Sequence, residues 1–343
     1  MTQTDLARTS GLEQSDLSRW ERGLRAPSAT QLARVAESLQ VPITFLSDEA
    51  TRFATPVHRT QRAETKRAER MVNGRLELAR LAASRLLADI NIDAPFAFPT
   101  SEEPAPADAE EAADAIRRVW RIPPGPLKSL AGVVESAGAI VLPVDFGAEN
   151  IIAAYADLRG DQRWCFTNTR TRDGARARFS LAHELGHAVL HWDRFDAPQG
   201  RDAEREAHRF AAALLMPRTE MMQAFGRIRF ALDDLVGYRE RWGVSIQALI
   251  TRARDIGLLA EVQYVRLYKQ ISARGWRKSE PGRVPLEEPT ILSDVLRIHR
   301  EQHGYSEEEI AHIAGLPHGR LADLLPRHFA PAPGAKPLLS VVR

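Results

Sequence analysis

The sequence predicts an α+β fold that is mostly α, and three observations predict it. Residues 1–47 form short helical runs broken by glycines. Residues 139–167 concentrate β-branched and aromatic residues in short runs, enough for a small sheet. An apolar helical run at 179–190 carries His-Glu-x-x-His, and helix-like segments continue to residue 325. At 343 residues the chain is long enough for two or three domains. Its 44% apolar and 27% charged residues have the balance of a soluble globular protein. No apolar run reaches about 18 residues, so a membrane span is not expected. The start, Met1-Thr-Gln-Thr-Asp-Leu, lacks the basic-then-apolar pattern of a signal peptide. The single cysteine, Cys165, sits in an expected strand and has no internal disulfide partner. Together these features predict a cytoplasmic protein.

Residues 1–48 make the first expected domain. Thr2–Leu12 reads as a helix, a Gly11 turn and an apolar anchor; Glu13–Gly23 reads as a second helix ended by glycine, and a third runs through Leu39. A glycine between two short helices is the helix-turn-helix signature. The stretch T-Q-x-x-L-A-x-x-x-G-L-x-Q-x-x-L-S-R-W-E-R-G-x-R-x-P resembles the phage-repressor (XRE) family of DNA-binding domains. The resemblance implies that Glu13–Trp20 reads an operator, with Gln3, Gln14, Ser15, Ser18 and Arg19 facing bases or phosphates. Repressor-type domains pair on palindromes, so a homodimer is expected. The family's first helix should precede Thr2, which predicts a domain lacking that helix. Through Ser47 five arginines balance five acids, so phosphate attraction gains nothing from net charge here.

Thr51–Arg80 is basic, with eight Lys/Arg against three Glu, 8 − 3 = +5. Residues 49–93 are therefore expected to form a basic connecting helix, over about 57–92, that is solvated, the alternative being contact with a DNA backbone. Residues 94–108, with Ala94-Pro-Phe-Ala-Phe-Pro and Pro104-Ala-Pro106, read as a Pro/Ala linker.

The next expected domain spans 109–258. Strands are expected at Ala139–Val144 and Arg163–Thr167, with a third at Ile151–Tyr155. In Phe179-Ser-Leu-Ala-His183-Glu184-Leu-Gly-His187 the two histidines lie one helical turn apart on one face. They offer imidazole nitrogens to one metal ion, and Glu184 stands beside them as a base for a water there. Two histidines and a glutamate in so apolar a segment need partners, because burying them unpaired is costly. The extension H-E-x-x-H-x-x-G-x-x-H is absent, since Leu190 and Asp193 occupy its Gly and His positions. A third ligand must come from a following helix, and Asp202–Met216 reads as one, capped by Asp202 and ended by Pro217. Glu204 and His208 share one of its faces, while Glu206 points elsewhere. Glu204 is therefore the expected third ligand and His208 a group touching a ligand; as a bare sequence feature Glu204 reads equally well as an exposed glutamate favoured by the helix dipole.

These residues carry a second resemblance. R-x-R-F-S-L-A-H-E-L-G-H followed by E-x-x-A-x-x-F-A-A-x-L-L-M-P resembles the ImmA/IrrE family of gluzincin-like metallo-endopeptidases, over roughly residues 110–280. The resemblance implies one zinc ion per chain held by His183, His187 and Glu204, with Glu184 as catalytic base. It departs at His208, where the family usually has Asn or Asp. An oxyanion donor is also needed, and Tyr155, His191 and His208 stay open as candidates.

Residues 259–343 turn helical and basic again. Lys269, Arg274, Arg277, Lys278 and Arg283 cluster around Gly275-Trp276. Ile291–Ile298 and Ser306–Gly315–Leu325 repeat the helix, Gly turn, helix pattern as a degenerate copy, with only Arg320 placed to meet a phosphate, and residues 331–337 read as a flexible tail.

Two functions are consistent with this organisation. One is a DNA-associated zinc endopeptidase that cleaves a cognate repressor or a toxin–antitoxin component. The other is an XRE-type regulator or antitoxin whose peptidase-like domain is a scaffold for a partner or signal.

Overall fold

The fold is described from a computed structural model over residues 2–43, 46, 66–88, 90–99, 108–147, 154–157, 163–191, 201–226 and 231–329; for residues 66, 67, 69, 154–157 and 201 only the backbone is described. Helices dominate and one small sheet accompanies them, the α+β class that the sequence predicts. The chain gathers into two compact units. One holds the N-terminal helices with Asn73–Asn91 and Ser293–Arg343; the other centres on Ile92–Leu292.

In the first unit, α1 (Gln3–Ser10), α2 (Gln14–Glu21) and α3 (Ala29–Leu39) follow one another. Local chemistry sets their ends. Thr2 accepts from the Asp5 N–H while Asp5 accepts from the Thr2 N–H, and Ser28 and Gln31 do the same for α3. Gly11 ends α1 at φ 62°, a left-handed conformation that glycine adopts without strain. Ala7, Leu17 and Val35 are the small core between the three helices, with Leu6, Leu12 and Trp20 packed on it.

The basic connecting segment appears as α4 (Lys66–Leu86). The expected start at 57–65 lies outside the described residues, and the helix stops before Ile90-Asn91-Ile92, a poorly helical run. The expectation of a solvated helix is corrected. Val72, Leu76, Ala79, Ala83 and Leu86 make a buried stripe at three- and four-residue spacing, which the arginines around them mask in a charge count. Within its unit, Arg75 donates to the Asp323 carbonyl and His299 Nε2 bonds the Leu86 carbonyl. His299 lies in a π-turn (Ile298–Gln302) and Asp323 in α15 (His318–Leu324); α13 (Ile291–Arg297) precedes the turn and α14 (Glu307–Ala314) follows it. Gly315, at φ 73°, makes the expected turn between α14 and α15.

The second unit contains α5 (Ala109–Val119), α6 (Leu130–Ser136), β1 (Ala139–Val144), β2 (Ala154–Asp157) and β3 (Arg163–Asn168). It continues through α7 (Gly174–His191), α8 (Arg201–Leu215), α9 (Arg218–Phe225), α10 (Leu232–Trp242), α11 (Ile246–Asp255) and α12 (Glu261–Ala273). The sheet order is β1-β3-β2: β1 runs parallel to β3 with Val141 opposite Cys165, and β2 runs antiparallel to β3 with Tyr155 opposite Phe166. Among the described residues Pro143 sits on an edge strand, where its missing N–H costs no ladder bond on the open side. The third expected strand is described over Ala154–Asp157, and residues 151–153 of the expected run lie outside the described residues. Leu181, Leu185, Phe210, Leu214, Trp242 and Leu249 are buried in one continuous core. The stretch expected as a linker joins it, because Phe98 is buried edge-on against Trp120 at 5.1 Å and Trp120 Nε1 donates to the Ala97 carbonyl.

Candidate metal centre

Helix α7 begins where its backbone is clamped. Asp173 accepts from the Ala175 N–H and from Arg239, and the Gly174 N–H donates to the Val284 carbonyl. A Cβ on Gly174 would lie 2.0 Å from the Pro285 carbonyl oxygen, so only glycine fits there. One turn on, Arg178 is buried. Its guanidinium donates to Glu287 at 2.5 Å and to the carbonyls of Leu127, Lys128 and Trp242. Glu287 in turn accepts from the Leu130 and Ala131 N–H groups at the start of α6.

Helix α8 is placed against α7 by a close approach. A Cβ on Gly186 would stand 3.0 Å from the Ala207 backbone and from Phe210. The far end of α8 is fixed by two buried arginines: Arg117 donates to the Leu214 carbonyl, and Arg252 donates to the Met216 carbonyl while pairing with Glu110. Such donors satisfy carbonyls that a helix end leaves without partners.

This packing brings His183, His187 and Glu204 together, and among the described residues they are the group whose donor atoms all lie within 4.8 Å of one another. His183 Nε2 and His187 Nε2 are 3.1 Å apart; Glu204 Oε2 is 3.3 Å from the first and Oε1 3.5 Å from the second. Ligand atoms at about 2.0–2.2 Å from a tetrahedral ion stand about 3.4 Å apart. Two imidazoles and a carboxylate at this spacing fit zinc in chemistry and in distance.

Burial, with smaller contributions from His208 and His191, holds the His183 imidazole down at about 4, so it is neutral and its lone pair is available at neutral pH. Burial first, and the Glu204 carboxylate second, push Glu184 up to about 8. A nearby cation opposes that rise and favours the carboxylate that a base requires.

The remaining expected residues divide. His191 reaches the cluster, with its Nδ1 3.1 Å from His187 Nδ1 and its Nε2 3.1 Å from Glu206 Oε2. His208, expected to touch a ligand, lies beside the His183 ring. Its ring packs tilted on Phe179 at 4.8 Å and meets the His183 ring edge-on at 6.4 Å, and burial lowers its pKa. Tyr155 lies in β2 opposite Phe166, and its side chain is outside the described set. Glu206, Arg178 and Gly186 were not singled out from sequence. The signal for Glu206 was present in the four-residue spacing of His187 and His191, which continues the histidine face of α7 by one turn.

In the N-terminal unit Gln14, Ser15 and Arg19 are exposed on α2, while Ser18 and Gln3 are half-buried. Gln14 Nε2 donates to Gln3 Oε1 at 2.6 Å and Gln3 Nε2 donates to Glu21, so α1 and α2 are cross-braced at the face expected to read DNA. Arg19 stands 3.5 Å from Asp16.

No helix among the described residues is long and apolar enough to cross a membrane. No curated protein matches the chain. Two family models do: the helix-turn-helix family over residues 1–46 and, over residues 135–254, a peptidase family described as the IrrE N-terminal-like domain. The second match contains both histidines of the cluster, Glu184, Glu204 and Glu206, and the chain thus joins a segment similar to a helix-turn-helix to one similar to the IrrE N-terminal-like metallopeptidases.

Proposed function

We propose that this protein is a DNA-associated zinc endopeptidase whose substrate is a cognate repressor or antitoxin-like protein. The observation that carries the reading is the convergence of His183 Nε2, His187 Nε2 and the Glu204 carboxylate at ligand spacing, with Glu184 next in sequence. The three converging residues hold the metal and Glu184 acts as base. Zinc held there supplies Lewis-acid polarisation and acidifies water at the site. Glu184 takes a proton from the water that attacks the scissile carbonyl and returns it to the leaving amine. His208, packed beside Phe179 and His183, and His191, beside His187, are the described side chains that stand as donors for a developing oxyanion. Among the described residues β2 is an edge of the sheet beside α7, and an extended peptide adds to such an edge through backbone hydrogen bonds. The helix-turn-helix match supports DNA binding through residues 1–48, with Gln14, Ser15 and Arg19 exposed for contact.

Elemental analysis and a cleavage assay on repressor-like proteins encoded beside the gene test this reading. One zinc per chain is expected, lost in Glu204→Ala. Cleavage is expected to vanish in Glu184→Gln while zinc is retained. Stoichiometric zinc without cleavage would favour the regulator reading, and no zinc in the wild type would remove the metallopeptidase altogether.

A further inference from the structure

We infer that Glu206 is a positioning residue: acting through His191, it holds the proton of His187 on Nδ1 and so turns the Nε2 lone pair of His187 toward Glu204 and His183. The inference takes its purpose from the metal reading above, but its geometry stands independently of it.

The chain of contacts fixes the protons in order. Glu206 Oε2 lies 3.1 Å from His191 Nε2. A carboxylate only accepts, so His191 Nε2 carries the hydrogen. A neutral imidazole has one N–H, which leaves His191 Nδ1 as an acceptor. That acceptor lies 3.1 Å from His187 Nδ1, so the hydrogen between the two rings belongs to His187. His187 Nε2 then carries no hydrogen, and it is this atom that faces His183 Nε2 at 3.1 Å and Glu204 at 3.5 Å. Hydrogen bonds of this kind to the outer nitrogen of a ligating histidine fix ring orientation and tautomer.

Helix geometry explains how two glutamates on α8 serve one histidine face. Residues two apart are rotated by about 200°, so Glu204 and Glu206 lie on opposite sides of the buried Ala203, Ala207 and Phe210 stripe. The close approach of Ala207 to Gly186 holds that stripe against α7. One side delivers Glu204 to His183 and His187. The other delivers Glu206 to His191, one turn further along α7, whose side chain is only 11% exposed.

Long-range ¹H–¹⁵N spectra of the full chain without metal read the tautomer, and competition with a chromophoric chelator reads zinc affinity. In the wild type His187 is expected to be protonated on Nδ1. In Glu206→Ala, and separately in His191→Phe, zinc dissociation constants are expected to rise about 10–100-fold, with His187 shifting toward the Nε2–H form in Glu206→Ala. Combining the two substitutions should add little further loss. Glu206→Gln keeps an acceptor for His191 and is expected to restore both readouts close to wild type, which a merely structural role would not predict. Glu206 is partly exposed, and circular dichroism checks that each variant folds. An Nε2–H His187 in the wild type, or a tautomer and zinc affinity unmoved in folded Glu206→Ala, overturns the inference. A wild type that binds no zinc but shows the tautomer shift removes the metal reading and leaves the relay standing.

Discussion

Helices α1–α3 are closed mostly by residues near in sequence, whereas α7 and α8 are held by residues far away. Thr2 caps α1 through Asp5, Ser28 caps α3 through Gln31, and the core between these helices is Ala7, Leu17 and Val35. Around α7 and α8 the ties run from Arg178 to Glu287, from Arg117 to the Leu214 carbonyl and from Arg252 to Glu110, across 109, 97 and 142 residues of sequence. A local cap is worth about 1 kcal/mol and leaves solvated groups behind when lost. A buried ion pair with one partner removed strands a charge in low dielectric, at about 3–5 kcal/mol. The candidate metal site therefore sits in the part of the molecule where single polar substitutions cost most, and the helix-turn-helix segment where they cost least.

Arg178→Ala should show the largest effect. It removes donors from Glu287 and three carbonyls, and chemical unfolding should record a loss of about 3–5 kcal/mol. Arg178→Lys should recover little, because a single ammonium does not reproduce the planar fork. A loss as small as that of a cap would erase the contrast between the two regions.

Gly186→Ala comes next. The added methyl meets the Ala207 backbone, which a flexible side chain's rotation does not relieve. Overpacking of this kind costs about 1–3 kcal/mol. Because α8 carries both glutamates, zinc affinity should fall together with stability, while the unfolding of a separate fragment of residues 1–48, if it folds, is untouched by construction. Normal zinc affinity in a destabilised Gly186→Ala would show that the helix seam does not set the donor spacing.

What was legible in the sequence follows the same division. His183, Glu184 and His187 could be read because a four-residue spacing fixes their common face whatever packs on it. The turn that ends α1 could be read because Gly11 itself marks it. Glu204 was reachable by its place in the first turn of the next helix, although Asp202, read as that helix's cap, lies inside it because the helix already includes Arg201. Glu206 was set aside because it points away from Glu204, which it does; that it nevertheless reaches α7 depends on the Gly186–Ala207 approach, a tertiary distance. The Arg178–Glu287 pair had no local signature, since its partner lies in a stretch read as part of a separate C-terminal region. The buried stripe of α4 was hidden by its arginines. Phe98 was hidden by the prolines and alanines around it, which say nothing about whether an aromatic ring finds a pocket.

A buried polar group of another kind gives the next effect. His328 has its Nε2 buried without a partner among the described residues, and its Nδ1 is 3.5 Å from Ser293 Oγ. Burial, helped by the charges of Arg327 and Arg300, lowers its pKa to about 4. Its unfolded value is about 6.5, so the folded state disfavours the proton. The contribution is complete above pH 6.5 and is lost as pH falls from there toward 4. Between pH 7 and 5 the wild type should lose about 1 kcal/mol more than His328→Gln, after discounting for the ring's partial exposure. Parallel pH profiles for the two proteins would show that the ring is already hydrated.

The smallest effect belongs to the N-terminal cap. Thr2→Ala removes the hydroxyl that accepts from the Asp5 N–H and leaves the Asp5 carboxylate bonded to the backbone N–H of residue 2. About 0.5–1 kcal/mol should be lost, visible as faster amide exchange in α1 and not in α7. The cap also has a sign in pH. Hydrogen bonds from the Thr2 backbone and hydroxyl, with the Arg8 charge a lesser cause, lower the Asp5 pKa. Its contribution is present above about pH 3.8 and fades as the carboxylate is protonated below that, well under the window in which His328 acts. Acid should therefore loosen the helices around His328 before it loosens the α1 cap. If α1 exchange instead accelerates by pH 5, the cap is not what closes that helix, and the N-terminal segment depends on something other than its own local bonds.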